Sequence, residues 1–196
     1  MWDRVRYGIQ WGHGSFNEQT LKKYIQEKDI TEYEIAYLFT TEHVFQSLKT
    51  WEINYGLFAI HNSAWSLVDE SLEAMSKYAF TICEKIETLI QHTLMKRKDT
   101  PLAQLKTIMA HPQVFLQCKE NLATHYPHLT TKIGEWDLID TAKVAEALFK
   151  GELPSNYAVC GPEWLAKLYD FEIIARNLQD LKDKNITQFL LVEKRE

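Results

Sequence analysis

The sequence predicts an α/β fold arranged as two lobes, and three observations carry that prediction. From the N-terminus, strand-like segments alternate with helix-spaced ones, the order that builds a parallel sheet with helices on its faces. Between Phe80 and Lys96, β-branched and apolar residues alternate over a length that reads as longer strands crossing to a second lobe. A second strand–helix series follows, and 196 residues suffice for one domain or two small lobes.

The first strand is Val5–Ile9, and the Gly-bearing turn Trp11-Gly12-His13-Gly14-Ser15 hands the chain to a helix from Phe16 to about Gln26. Glu34–Leu38 gives a second strand. Thr41 is expected to cap a helix carrying Val44, Phe45 and Leu48, and Tyr55–Ile60 gives a third strand. A loop at 61–67 leads to a helix from Val68 to Lys77, and the first lobe is expected to comprise 1–78 plus 171–196. In the second lobe, 79–170, the expected order is strand 107–110, helix 112–125, strand 130–134, helix 141–150 and strand 157–160. Pro112 suits a first helical turn, and Asp140 or Thr141 suits an N-cap. The chain closes with helix 161–170, strand 172–175, a polar link at 179–184 and a last strand at 187–192.

Composition excludes several classes. With 22 Lys plus Arg against 27 Asp plus Glu, the net charge is -5, so a nucleic-acid partner is not expected. The densest basic run, Lys96-Arg97-Lys98, is followed by Asp99 and reads as a solvated loop or strand end. No stretch approaches 18 apolar residues, which argues against a membrane span, and the N-terminus has no signal-peptide run; the expected location is cytoplasmic. Cys83, Cys118 and Cys160 are odd in number and widely spaced, the pattern of free thiols.

Single motifs are weak. Gly12-His13-Gly14 lacks the third Gly of a dinucleotide fingerprint, because Asn17 stands there, and it lacks a P-loop Lys. No HExxH pair supports a metal site and no GxSxG elbow supports a serine nucleophile. His61, His92 and His111 each have a plain reading as hydrogen-bonded structural histidines. The Trp164, Leu165, Leu168 stripe has the spacing of a core face. Asn62-Ser63 ends the third strand, where ligands bind in open α/β sheets.

In order, however, these segments resemble the prephenate dehydratase family from about Val5 to Val192. Gly14-Ser15-Phe16 matches the family's Gly-(Ser/Thr)-Phe, with Trp11 and Gly12 in place of its first Gly and Pro. Tyr55-Gly56-Leu57-Phe58-Ala59-Ile60-His61-Asn62-Ser63 is similar to Tyr-Gly-Val-Val-Pro-Ile-Glu-Asn-Ser, with His61 replacing the acid and Trp65-Ser66 following where Glu-Gly is expected. Ile90-Gln91-His92-Thr93-Leu94 and the long string from Ala110 to Cys118 are close matches. Asp140-Thr141-Ala142 resembles Ser-Thr-Ala, and Ala158-Val159-Cys160-Gly161 resembles Ala-Ile-Ala-Ser, with Gly161 losing a hydroxyl. Asn185-Ile186-Thr187-Gln188-Phe189 resembles Asn-x-Thr-Arg-Phe, so Thr187 lands on the catalytic threonine while Gln188 replaces an arginine.

The resemblance implies a type II periplasmic-binding-protein-like fold with a cleft between the lobes, and conversion of prephenate to phenylpyruvate with loss of water and CO2, without metal or organic cofactor. It assigns Thr187 to the leaving hydroxyl and Ser15, Asn62, Ser63, Thr141 and Gln188 to substrate binding, with Phe189 as a wall and His111 and Gln113 in a second tier. His61, if protonated, could bind the carboxylate the arginine no longer holds, or act as general acid. Two other readings stand beside this one: a non-aromatising prephenate decarboxylase of a specialised pathway, favoured by His61 and Gln188 and opposed by Thr187, and a binding domain without catalysis. The family's relatives commonly pair, which implies a homodimer. The last strand ends near the C-terminus, so a regulatory ACT domain, a chorismate mutase and phenylalanine control are expected to be absent.

Overall fold

The computed structural model describes residues 4–64 and 66–195, which form two compact α/β units, 1–88 with 186–196 and 89–185. Trp65, one of the departures from the family pattern, lies outside the described residues. The expected boundaries at 78/79 and 170/171 move to 88/89 and 185/186 for a hydrogen-bonding reason. The strand Phe80–Leu89 joins the first sheet, and Glu172–Ala175 joins the second.

The first unit contains β1 (Val5–Gln10), α1 (Phe16–Glu27), β2 (Tyr33–Phe39), α2 (Thr41–Lys49), β3 (Tyr55–Asn62), β4 (Ser66–Leu67), α3 (Asp69–Met75) and β5 (Phe80–Leu89), and closes with β11 (Ile186–Lys194). Its sheet runs β2-β1-β3-β11-β5, with β4 paired to β3. β1 is parallel to β2 and β3, while β11 is antiparallel to β3. Val44, Phe45, Leu48, Ile53, Phe58, Ala74, Leu190 and Val192 pack between α2, α3 and one face of this sheet. The apolar spacing of α2 dictates that arrangement, since Val44, Phe45 and Leu48 fall on one stripe. The capping role expected of Thr41 belongs to Thr40.

The second unit contains β6 (Thr93–Lys96), β7 (Thr107–Met109), α4 (Pro112–Gln117), α5 (Lys119–His125), β8 (Thr130–Lys132), α6 (Thr141–Lys150), β9 (Tyr157–Gly161), α7 (Trp164–Leu168) and β10 (Glu172–Ala175). The sheet order is β10-β6-β9-β7-β8, with β9, β7 and β8 parallel. The helix expected over 112–125 is broken at Cys118. The Asp180 carboxylate accepts the backbone N–H groups of Glu120 and Asn121 at 3.0 and 2.9 Å, which caps the start of α5 and ends α4. The strand expected over 130–134 ends at Lys132, and the loop expected over 61–67 holds the end of β3 and the short β4.

Cys118 and Cys160 are buried free thiols and Cys83 is an exposed one. The basic run is less solvated than its composition implied: Lys96 is buried in β6 and pairs with Glu172 at 2.5 Å, and Lys98 pairs with Asp170. Leu165 and Leu168 join the apolar core of the second unit, the plain reading of that stripe. No helix among the described residues is long and apolar enough to cross a membrane.

Candidate functional site

In the first unit, β3 and β11 bring the central motif together at the carboxyl end of β3. Thr187 is the register partner of Asn62, and Gln188 that of His61; a bulge then shifts the pairing so that Phe189 faces Ala59. Asn62 is 1% exposed, and its Nδ2 donates to Thr187 Oγ1 at 2.8 Å while its Oδ1 accepts the Ala64 N–H at 2.8 Å. The second bond fixes the amide's orientation, so Asn62 is the donor to Thr187. With its oxygen thus engaged as an acceptor, Thr187 keeps its own O–H to donate elsewhere. Ser63 clips the strand start from both sides: its N–H donates to Ile186 O at 2.9 Å and its Oγ accepts the Ile186 N–H at 2.8 Å.

Gln188 donates from Nε2 to Glu87 Oε1 at 2.9 Å. A neutral amide beside a carboxylate is a different electrostatic object from a guanidinium, which would bring a fixed charge and a two-pronged fork. Across from it, His61 Nδ1 is shielded from solvent and has no hydrogen-bond partner among the described residues. Phe189 is 1% exposed, a buried core residue of β11.

The turn after β1 is built around a buried carboxylate that the motif reading did not single out. Ser15 is the N-cap of α1, its Oγ accepting the Glu18 N–H at 3.3 Å, and Glu18 reaches back to the Gly14 N–H at 2.6 Å. Gly14 has φ 93°, a conformation that glycine adopts without a Cβ penalty. Glu18 is 2% exposed and also accepts from Tyr37 Oη at 2.9 Å and pairs with Lys22 Nζ at 2.7 Å and His13 Nδ1 at 2.9 Å. Burial raises its pKa, but Lys22, the Gly14 N–H, Tyr37 and His13 outweigh burial and hold it below the ordinary carboxylate range. The signal for Glu18 was present as the Ser-x-x-Glu spacing of a capping box. The start of α1 is therefore already occupied by a carboxylate of the chain itself. The start of α2 is filled likewise, since Glu70 accepts the Thr41 N–H at 2.7 Å and the Gln10 amide at 2.5 Å.

In the second unit, the carboxyl ends of the parallel strands β7 and β9 gather His111, Thr141 and Gly161. Asp140 is the N-cap of α6, its Oδ1 accepting the Ala142 N–H at 2.9 Å. Thr141 Oγ1 accepts the His111 N–H at 2.9 Å, and His111 Nδ1 accepts the Gln113 N–H at 3.2 Å. Burial lowers the His111 pKa to about 4, so the ring is neutral at pH 7. Gly161 is required here for space: a Cβ would lie 2.6 Å from Thr141 Cγ2. His92 has the structural role that its plain reading anticipated. It is buried, its Nε2 contacts Gln117 Oε1 at 2.7 Å, and burial lowers its pKa to about 4. No group of three or more metal-ligating side chains occurs among the described residues.

The bifunctional chorismate mutase/prephenate dehydratase of Buchnera aphidicola from Acyrthosiphon pisum is 30% identical over 157 residues, covering 79% of this chain and 38% of that protein; the chain thus spans less than half that relative's length. A crystal structure of prephenate dehydratase from Arthrobacter aurescens in complex with L-Phe superposes with TM-score 0.84 at 21% identity, covering 98% of this chain and 61% of that one. GqqA, described as a novel type of quorum-quenching acylase, superposes with TM-score 0.74 at 18% identity, covering 97% and 64%. One fold thus carries more than one chemistry, and the reaction has to be argued from the site. The two mixed α/β units share the fold of that Arthrobacter aurescens structure. The prephenate dehydratase family model matches residues 8–196, and the chain belongs to that family.

Proposed function

We propose that this chain is a prephenate dehydratase, converting prephenate to phenylpyruvate in phenylalanine biosynthesis. The observation that carries the reading is the buried Asn62–Thr187 hydrogen bond, which turns the threonine hydroxyl into a donor. In the reaction the C–O bond to the 4-hydroxyl breaks as the ring carboxylate leaves as CO2. The electron pair of the broken C–C bond enters the ring, and aromatisation drives the step. Thr187 donates a hydrogen bond to the departing oxygen, which leaves as water after taking up a proton. Holding the ring and aiming the leaving group is catalysis by positioning and acid assistance, and it requires no metal or organic cofactor.

In the first unit Asn62, Ser63 and Gln188 are the proposed substrate-binding residues, with His61 as the cationic or acidic group when protonated. Ser15 and Phe189 shape the same end of the sheet, as helix cap and as buried wall. In the second unit Thr141, His111 and Gln113 are proposed to bind substrate. Exchanging a charged donor for the Gln188 amide costs about 1.5–3 kcal/mol, roughly tenfold to a hundredfold, which leaves a slow enzyme. The protein is proposed to be cytoplasmic and to act as a homodimer.

One observation favours a second reading, non-aromatising decarboxylation: the register partner of His61 is the neutral Gln188, whose amide is engaged with Glu87. Incubating the purified chain with prephenate and following the ultraviolet spectrum separates the alternatives. Phenylpyruvate supports the dehydratase, and a dihydro-hydroxyphenylpyruvate supports the decarboxylase. Calorimetric binding without turnover would refute both in favour of a binding domain. Thr187→Val should abolish dehydration while Thr187→Ser retains part of it.

A further inference from the structure

We infer that the buried amide of Asn17 is a further substrate-binding group of the first unit, its oxygen the acceptor for a hydroxyl of the ligand. The inference rests on the dehydratase reading above and adds the residue that follows the matched Gly14-Ser15-Phe16.

Asn17 is 3% exposed, yet its Oδ1 has no hydrogen-bond partner among the described residues. A buried acceptor left unmet forfeits the bonds it had with water, so such a group is kept at a cost to stability. The residues around it are satisfied by contrast: Ser15 Oγ accepts the Glu18 N–H, and the Glu18 carboxylate accepts the Gly14 N–H. A leucine would fill nearly the same volume and leave no polar atom unmet. The Asn17 oxygen therefore calls for a donor from outside the chain.

Hydrogen bonds and strand order place that amide over the Asn62–Thr187 pair. α1 starts from its cap Ser15, beyond the end of β1, and packs on β1 and β3. Asn17, Thr20 and Leu21 stand at i, i+3 and i+4, one buried stripe of the helix. Thr20 Oγ1 lies 2.9 Å from Thr88 Oγ1, so by Thr20 the stripe has reached β5. Thr88 stands beside the start of β11, because β5 neighbours β11, Gln188 bonds Glu87 at 2.9 Å and the Ile90 N–H donates to Asn185 O at 2.8 Å. In the order β1-β3-β11-β5, a helix that leaves the end of β1 and touches β5 at Thr88 passes over β3 and β11 between them, at the ends carrying Asn62 and Thr187. Asn17 is the stripe residue of that passage. The faces agree as well. The bulge adds its extra residue to β3 and leaves β11 regular, so with Leu190 and Val192 packed toward α2, Thr187 lies on the opposite face, toward α1.

The two groups are chemically complementary. Thr187, its oxygen engaged by Asn62, has an O–H to donate, whereas Asn17 Oδ1 can only accept. A hydroxyl held between them is served on both sides: its oxygen receives the Thr187 hydrogen and its own hydrogen goes to Asn17. A site built this way selects a ligand that bears the hydroxyl over one that lacks it. For the leaving hydroxyl, the arrangement aims a lone pair at Thr187 as the C–O bond breaks, while the hydrogen held by Asn17 stays on the departing oxygen. Asn17 orients the group and transfers no proton.

The experiment compares the purified chain with Asn17→Leu and Asn17→Ala by prephenate turnover, urea unfolding and calorimetric binding of two stable cyclohexene dicarboxylates, one bearing the hydroxyl and one lacking it. The wild type should bind the hydroxylated compound roughly tenfold more tightly, and both variants should lose that preference. In Asn17→Leu, kcat/KM for prephenate should fall roughly tenfold while the urea midpoint stays or rises, because the unmet oxygen is gone. An active wild type whose variants keep the hydroxyl preference overturns the inference and leaves the dehydratase reading standing; an Asn17 that holds only a structural water would give that result together with a lower urea midpoint. Asn17→Ala reads the same preference if the leucine variant does not fold. A wild type inert toward prephenate overturns the dehydratase reading instead, and the two dicarboxylates then decide: a hydroxyl preference lost in the variants supports the Asn17 acceptor, and equal affinities in the wild type refute it.

Discussion

Restoring the family's serine at Gly161 is expected to damage this chain, because Thr141 occupies the space. A Cβ at 161 would lie 2.6 Å from Thr141 Cγ2 and 3.3 Å from Leu165 Cδ1, against a comfortable carbon–carbon separation of roughly 3.5–4.0 Å. Thr141 has little room to retreat: it is buried, and its Oγ1 holds the His111 N–H at 2.9 Å. Overpacking of this kind costs about 1–3 kcal/mol, so Gly161→Ser should lower the melting temperature by roughly 2–4 °C per kcal/mol in a chain of this size. Thr141→Ser removes the offending methyl and keeps the hydroxyl that serves His111. Alone it should cost about 0.5–1.5 kcal/mol, as other single-methyl deletions do. Combined, the two changes should be less harmful than their sum by about 1 kcal/mol or more, measured by urea unfolding of all four chains. Additivity within about 0.5 kcal/mol, or a neutral Gly161→Ser, would refute the steric reasoning.

Three further outcomes follow from the hydrogen bonding and burial. Both His92 and His111 have pKa values lowered to about 4 from 6.5, so the unfolded chain binds their protons first as pH falls. Stability should be intact above pH 6.5 and decline toward pH 4 by about 1.4 kcal/mol per pH unit per histidine; denaturant titration across that window should show the slope, reduced by half in His92→Gln. Asn62→Ala leaves Thr187 Oγ1 and the Ala64 N–H without their partner, and should cost about 1–3 kcal/mol in urea unfolding besides lowering kcat. Gln188→Arg should improve prephenate KM only modestly, since Glu87 is within reach to pair with the new charge; adding Glu87→Gln should release the guanidinium and lower KM about tenfold further in steady-state assays.

Much of the fold was legible because it is written in local patterns. The stripe of Val44, Phe45 and Leu48 specified α2, and the Pro112 and Asp140 signals placed two helix starts within a residue. What escaped was set by long-range hydrogen bonds. No local signal says that Phe80–Leu89 pairs with the chain's last strand, nor that Asp180 splits the helix at Cys118 from sixty residues away in sequence. In the site, Thr187, Asn62 and Ser63 stood out by motif, and the structure shows them bonded to one another's strands. Glu18, Glu70 and Glu87 did not stand out, because a glutamate in a helix or on a strand edge has a solvated face as its ordinary reading, and only tertiary contacts show these three accepting specific donors.

The distribution of retained and altered residues has a physical cause in the β3–β11 ladder. Asn62, Ser63 and Thr187 hold the two strands to one another through buried or strand-closing hydrogen bonds, so changing any of them strands a polar group and disturbs the register. His61 and Gln188, the next pair along, project from the same ladder without closing it; their exchange leaves the backbone bonds intact and alters only charge. The helix starts add to the effect, for Glu18, Glu70 and Asp140 each occupy one that would otherwise attract an anion. With the arginine gone and those termini filled, the ammonium groups of Lys22 and Lys85 in the first unit are each paired with a carboxylate of the chain, Glu18 at 2.7 Å and Glu87 at 3.8 Å.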